Sequence, residues 1–182
     1  MQVLETRIAE VKLITPRVIA DNRGYFKETW NRKAFAEAGL DLDFVQDNQS
    51  RSSRGVLRGL HYQLHQPQGK LVRVLSGSIF DVAVDLRRSS PSFGEWAGAE
   101  LSAENHAMLW VPAGFAHGFY VTSESAEISY KCTDFYSPGD ERTIRWDDPE
   151  LQIAWPIPPG QSPAVSEKDA QGVPFATADL FP

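Results

Sequence analysis

The chain has 182 residues, 42% hydrophobic and 23% charged, with 18 basic against 24 acidic side chains and a net charge of −6. That suits one soluble globular domain and gives no global attraction to nucleic acid or to an anionic membrane, so an anionic ligand needs a locally basic site. Cys132 is the only cysteine, which excludes an intramolecular disulfide and fits a reducing, cytoplasmic setting.

Charges at Glu5, Arg7, Glu10 and Lys12 interrupt any apolar leader, and no run approaches a membrane span. The first predicted strand is VKLITPRVI, residues 11–19. DNRGYFKE, residues 21–28, is a turn that carries Arg23. NRKAFAEAGL predicts a helix over 31–40, with Asn31 as its N-cap and Gly39 as its stop. Strands follow at 44–50, 55–63, 70–77, 78–86, 106–114, 117–123 and 127–137, punctuated by Gly-Ser, Pro-Ala-Gly and Ser-Pro-Gly. PIPPGQSP, residues 156–163, is a Pro-rich connector, and SEKDAQG predicts a last short helix capped by Ser166. Many short strands without βα alternation indicate an all-β sandwich or barrel. We expect one domain over 1–182, with an extension from about 156 packed on the barrel.

Side-chain parity adds detail. In SIFDVAVDL, Phe80, Val82, Val84 and Leu86 share one apolar face; Ile79, Asp81, Ala83 and Asp85 share the other, suited to a wetter cavity or to solvent. In VLRGLH, Arg58 and His61 are three apart, so a regular strand would point them to opposite faces. Gly59 lies between them, and glycine inside a strand often marks a bulge. We expect a bulge there that turns both side chains toward one cavity.

Several residues invite chemistry. His61 and His65 are four apart, roughly 13 Å at about 3.3 Å per residue, too far for two metal–nitrogen bonds of about 2.0–2.1 Å. A turn after Gln63 would shorten that gap, so spacing leaves a metal chelate open. His61 suits acid–base work near neutrality, although a hydrogen-bonded core histidine fits the spacing equally well. Arg58, Lys70, Arg73 and Arg23 could serve an anion site. Arg73 alternates with Val72 and Val74 and reads as a solvated charge. His117 and Tyr130 read on their own as packed strand residues. Asp169, in SEKD, completes a capping box with Ser166 or partners a distant histidine.

Together the motifs DNRGYFKETWN, FVQDNQSRSSRGVLRGLHYQ, QGKLVRVLSGSIFDVAVDL, WVPAGFAHGFYV, ISYKCTDFYSPGDE and SEKD resemble the dTDP-4-dehydrorhamnose 3,5-epimerase family. The resemblance runs in order from about residue 2 to about 170. It implies a cupin-type jelly-roll barrel, a homodimer, and no metal or other cofactor. The implied substrate is dTDP-4-dehydro-6-deoxyglucose. His61 matches the family's base, Tyr130 its acid, Asp169 the partner of the base, and Lys70 a cation near the ketone oxygen. Arg58 and Arg23 match diphosphate contacts, with Arg23 and Glu28 reaching across the dimer interface. Glu28, Gln46, Asp47, Asn48 and Tyr136 match the nucleotide end, Tyr136 as an aromatic stacked on thymine, and Phe26 matches a substrate-binding position. His117, Glu141 and Lys168 match further substrate contacts. Position 63 is Gln63, so the His-x-His pattern of metal cupins is absent. Relatives that invert one carbon only share this fold and the His–Tyr pair. A metal-dependent cupin and a non-catalytic sugar-nucleotide barrel are the competing functions.

Overall fold

The computed structural model describes all 182 residues. It begins with β1 (Gln2–Glu5), β2 (Lys12–Thr15), β3 (Val18–Asp21), β4 (Gly24–Lys27) and α1 (Arg32–Glu37). Then come β5 (Gln46–Ser53), β6 (Leu57–Gln63), β7 (Lys70–Ser76) and β8 (Ser78–Asp85). After them follow β9 (Trp96–Ser102), β10 (Met108–Val111), β11 (Phe115–Val121), β12 (Ser125–Cys132), β13 (Glu141–Thr143) and α2 (Glu167–Ala170). No helix is long and apolar enough to cross a membrane.

The strands form a jelly roll of two antiparallel sheets, ordered β1-β2-β10-β7-β12-β5 and β13-β6-β11-β8-β9, with β3 and β4 a separate hairpin. The predicted strand 11–19 is two strands, β2 and β3, because Pro16 between them has no N–H for a ladder. The predicted strand 127–137 ends at Cys132, and residues 133–137 leave the sheet as a turn. Asn31 caps α1 by accepting from the Ala34 N–H at 3.2 Å.

Between the sheets lies the largest apolar cluster, which includes Val72 and Val74 of β7, Ile79 of β8, Leu109 of β10 and Ile128 of β12. A second cluster covers the outer face of the five-stranded sheet. There Val82, Val84 and Leu86 meet Ile144, Leu151, Phe175 and Ala178. The C-terminal segment therefore buries the face that a two-layer sandwich would leave wet. Asp81 and Asp85 have no exposed surface, so of the cavity or solvent expected on their face the solvent is absent, while Asp81 meets His117, which lines a cavity. A third cluster, with Phe35 and Leu40 beneath Leu71 and Trp110, seats α1 on the outside of the six-stranded sheet.

The bulge at Gly59 is present. His117 pairs with His61 and Phe119 with Arg58, so β6 spends three residues where β11 spends two. Gly59 has φ +122°, and a Cβ there would lie 2.6 Å from Gly118 Cα and 2.7 Å from the His117 carbonyl oxygen. Only glycine fits that conformation and that close approach. Past the extra residue, Arg58 and His61 line the same cavity.

Candidate active site

A cavity of about 350 Å³ opens between the sheets, lined by β5, β7 and β12 on one side and by β6 and β11 on the other. His61 faces it from β6, and its Nε2 lies 2.5 Å from Asp169 Oδ1. Asp169 is 2% exposed. Burial pushes its carboxyl up, but the His61 hydrogen bond and charge and the Gly59 N–H outweigh that and hold it below the ordinary value. A carboxylate can only accept, so Nε2 carries the proton and donates, and Nδ1 of the neutral ring keeps the lone pair. The two readings of SEKD divide between atoms of one residue. The backbone N–H of Asp169 donates to the Ser166 Oγ cap at 3.1 Å, while its carboxylate serves His61. The C-terminal segment reaches β6 through backbone bonds from Ala164 to Gly55 and from Leu57 to Ala164.

Tyr130 and Lys70 face the cavity from the other sheet, on the neighbouring strands β12 and β7. Burial pushes the Tyr130 phenol above its ordinary value, so it is protonated at neutral pH. Burial lowers Lys70, with the nearby Cys132, Glu141 and Asp81 acting against that. Both side chains line the same cavity.

A second carboxylate–imidazole pair, which the residue patterns did not anticipate, lies deeper. His117 Nε2 is 2.7 Å from Asp81 Oδ1, and both are buried. The signal was Asp81 itself, an acid on the inward face of an apolar strand, which needs a partner to be buried. Its Oδ2 has no partner within the chain.

Polar side chains ring the mouth. Arg58 is held by Nε to Ser52 Oγ at 3.0 Å. Glu141 Oε2 accepts from the Tyr136 hydroxyl at 2.9 Å and from Lys168 Nζ at 2.5 Å. Gln46 Nε2 donates to Asn48 Oδ1 at 3.0 Å. Four residues matched by resemblance are not brought in. Asp47 alternates with Gln46 and Asn48 along β5, so it faces away and pairs with Lys131 at 2.9 Å. Arg23 and Phe26 sit on the β3–β4 hairpin, where Arg23 pairs with Asp21 at 2.5 Å. Glu28 accepts from Asn31 Nδ2 at 3.1 Å. His65 is exposed, outside the cavity.

The model of the dTDP-4-dehydrorhamnose 3,5-epimerase family matches residues 5–177. The chain is 59% identical to the dTDP-4-dehydrorhamnose 3,5-epimerase of Pseudomonas aeruginosa over 100% of both chains. It superposes with a TM-score of 0.94 on the dTDP-6-deoxy-D-glucose-3,5-epimerase of Legionella pneumophila in complex with dTDP-4-keto-L-rhamnose, at 50% identity over 98% of this chain and 94% of that one. A 3′-monoepimerase of Streptomyces bikiniensis in complex with dTDP-quinovose gives 0.88, at 32% identity over 96% and 88%. With a family model matched over residues 5–177 and nearly its whole length in register with these proteins, the chain belongs to the dTDP-4-dehydrorhamnose 3,5-epimerase family.

Proposed function

We propose that the protein epimerises dTDP-4-dehydro-6-deoxy-D-glucose at both carbons beside the ketone, giving dTDP-4-dehydro-L-rhamnose for rhamnose biosynthesis. The observation that carries this reading is the placement of His61 and Tyr130 on opposite sheets around one cavity. Inversion needs a proton removed from one face of a carbon and returned to the other. His61 Nδ1 takes the proton, and Asp169 fixes the tautomer and steadies the imidazolium. The ketone oxygen gains charge as the enolate forms. Lys70 stabilises it, worth on the order of 3 kcal/mol if it behaves like a single oxyanion-hole donor. Tyr130, protonated at neutral pH, returns a proton from the opposite face. His117, held by Asp81, and the pair Glu141–Lys168 hold the sugar and the phosphates.

At the nucleotide end Arg58 binds the diphosphate, and Gln46, Asn48 and Tyr136 hold the thymidine. Arg23, Phe26 and Glu28 act in a homodimer, reaching the partner subunit's site from the hairpin. Their exposure supports this: Phe26 is 69% exposed and the hairpin pairs with no other strand. The chain works as one domain, with the segment after 156 supplying Asp169. The free, buried thiol of Cys132 suits the cytoplasm.

The test is turnover of dTDP-4-dehydro-6-deoxyglucose in deuterated water, followed by NMR. Solvent deuterium is expected at both flanking carbons. Exchange at one carbon would make the protein a single-carbon epimerase, and exchange at neither would remove the reading.

A further inference from the structure

The roles assigned above leave unused a buried amide on the cavity wall. Gln63, the last residue of β6, is 4% exposed and spends its whole side chain on backbone. Its Nε2 donates to the carbonyls of Gln66 at 2.7 Å and Phe135 at 3.1 Å. Its Oε1 accepts from the Ser137 N–H at 2.9 Å. Between Phe135 and Ser137 stands Tyr136, whose own N–H donates to Gln46 Oε1 at 2.9 Å. Three consecutive residues are thus each held by a glutamine amide, from β6 in one sheet and β5 in the other. Other bonds tie the segment, from Gln68 Nε2 to the Asp134 carbonyl at 2.7 Å, from the Asp140 N–H to the Ser137 carbonyl at 3.0 Å and from the Tyr136 hydroxyl to Glu141 at 2.9 Å, but Gln63 is the one side chain that bonds to both neighbours of Tyr136. The turn lies outside any strand or helix, and Phe135 and Tyr136 are 61% and 52% exposed, so apolar burial does not anchor it.

We propose that Gln63 is a positioning residue for Tyr136, locking the 135–137 turn so that the ring stands ready at the cavity mouth as a platform for the nucleobase. The proposal rests on the reading of Tyr136 as the stacking residue. A platform held before the ligand arrives avoids the cost of ordering a loop on binding. The amide is suited to this, because it donates to two carbonyls and accepts from an N–H at once. A carboxylate in its place could only accept.

A double-mutant cycle on dTDP binding, read by calorimetry with kcat and KM alongside, tests this. Gln63→Ala is expected to weaken dTDP binding and raise KM about tenfold, with kcat within about twofold, and to add nothing once Tyr136→Ala is present. Gln63→Glu, which keeps only the bond from the Ser137 N–H, should do the same and serves if the alanine variant does not fold. Additive losses in the cycle would overturn the positioning role alone. A wild-type protein that fails to bind dTDP would overturn the nucleotide reading and this proposal with it.

Discussion

His61 and Tyr130 line one cavity from opposite sheets, His61 on β6 of the five-stranded sheet and Tyr130 on β12 of the six-stranded one. The sandwich sets the gap between them, and a sugar ring placed there meets an imidazole on one side and a phenol on the other. His61 is anchored from 108 residues away by Asp169, so its orientation depends on how the C-terminal segment docks.

His61→Ala should abolish solvent exchange at both carbons, because one base serves both. Asp169→Asn keeps the shape but removes the charge that steadies the imidazolium. Its kcat should fall by on the order of 10²–10⁴, with KM little changed. Steady-state kinetics on both variants check this; a normal kcat in Asp169→Asn would detach the carboxylate from the chemistry.

Arg58 is exposed at the mouth and tied to Ser52 rather than to the catalytic pair. Arg58→Ala should therefore raise KM with kcat nearly unchanged, the pattern of binding that ground and transition states share. A lowered kcat at unchanged KM would place Arg58 at the reacting carbons instead.

The alkaline side of the pH profile tests the role of Lys70. Lys70 titrates below its ordinary 10.5, and Tyr130 above its ordinary 10.0. As pH rises through the lowered Lys70 value, Lys70 loses its charge and the oxyanion loses its cation. kcat/KM should fall through the Lys70 value, and Lys70→Arg should move that limb upward, since a guanidinium stays charged. A limb that stays in place in Lys70→Arg belongs to another group.

Away from the site, Asp85 is fully buried and accepts from Arg87 at 2.7 Å and from Ser90 and Ser92 at 2.5 and 2.6 Å. Burial raises its carboxyl, but these bonds prevail and bring it down to about 2. A depressed carboxylate stabilises the fold fully above its unfolded value near 3.8 and loses that contribution as pH falls through about 2. Asp85→Asn should cost roughly 2 kcal/mol at pH 7, shrinking below pH 4. Urea midpoints of both proteins at pH 7 and pH 3 report it; an equal gap at both would contradict the linkage.

Apolar, β-prone runs between turn signals made β6, β7, β8 and β12 legible, although burial alternates cleanly along little more than part of β12. The same signals missed β9, WAGAELS, whose small residues give little contrast, and the short strands β1 and β13. The site was less readable. Parity separates Arg58 from His61 until the Gly59 bulge is allowed for, and it places Asp47 on the wrong side of β5 for the cavity. The pairing of His61 with Asp169 came from resemblance, because no local pattern links residues 108 apart. Asp81 carried a signal, an inward acid, but its partner was set by the register of β8 and β11. Gln63 carried none, since its partners are defined only once the 135–137 turn folds back over β6.

The most direct test of the central claim is Tyr130→Phe assayed in deuterated water, with NMR reading both deuterium content and configuration at the flanking carbons. With the base intact and the opposite acid removed, deuterium should enter while the sugar keeps its original configuration. Inverted product at the wild-type rate would contradict the account, because the proton would then be returned by some group other than Tyr130.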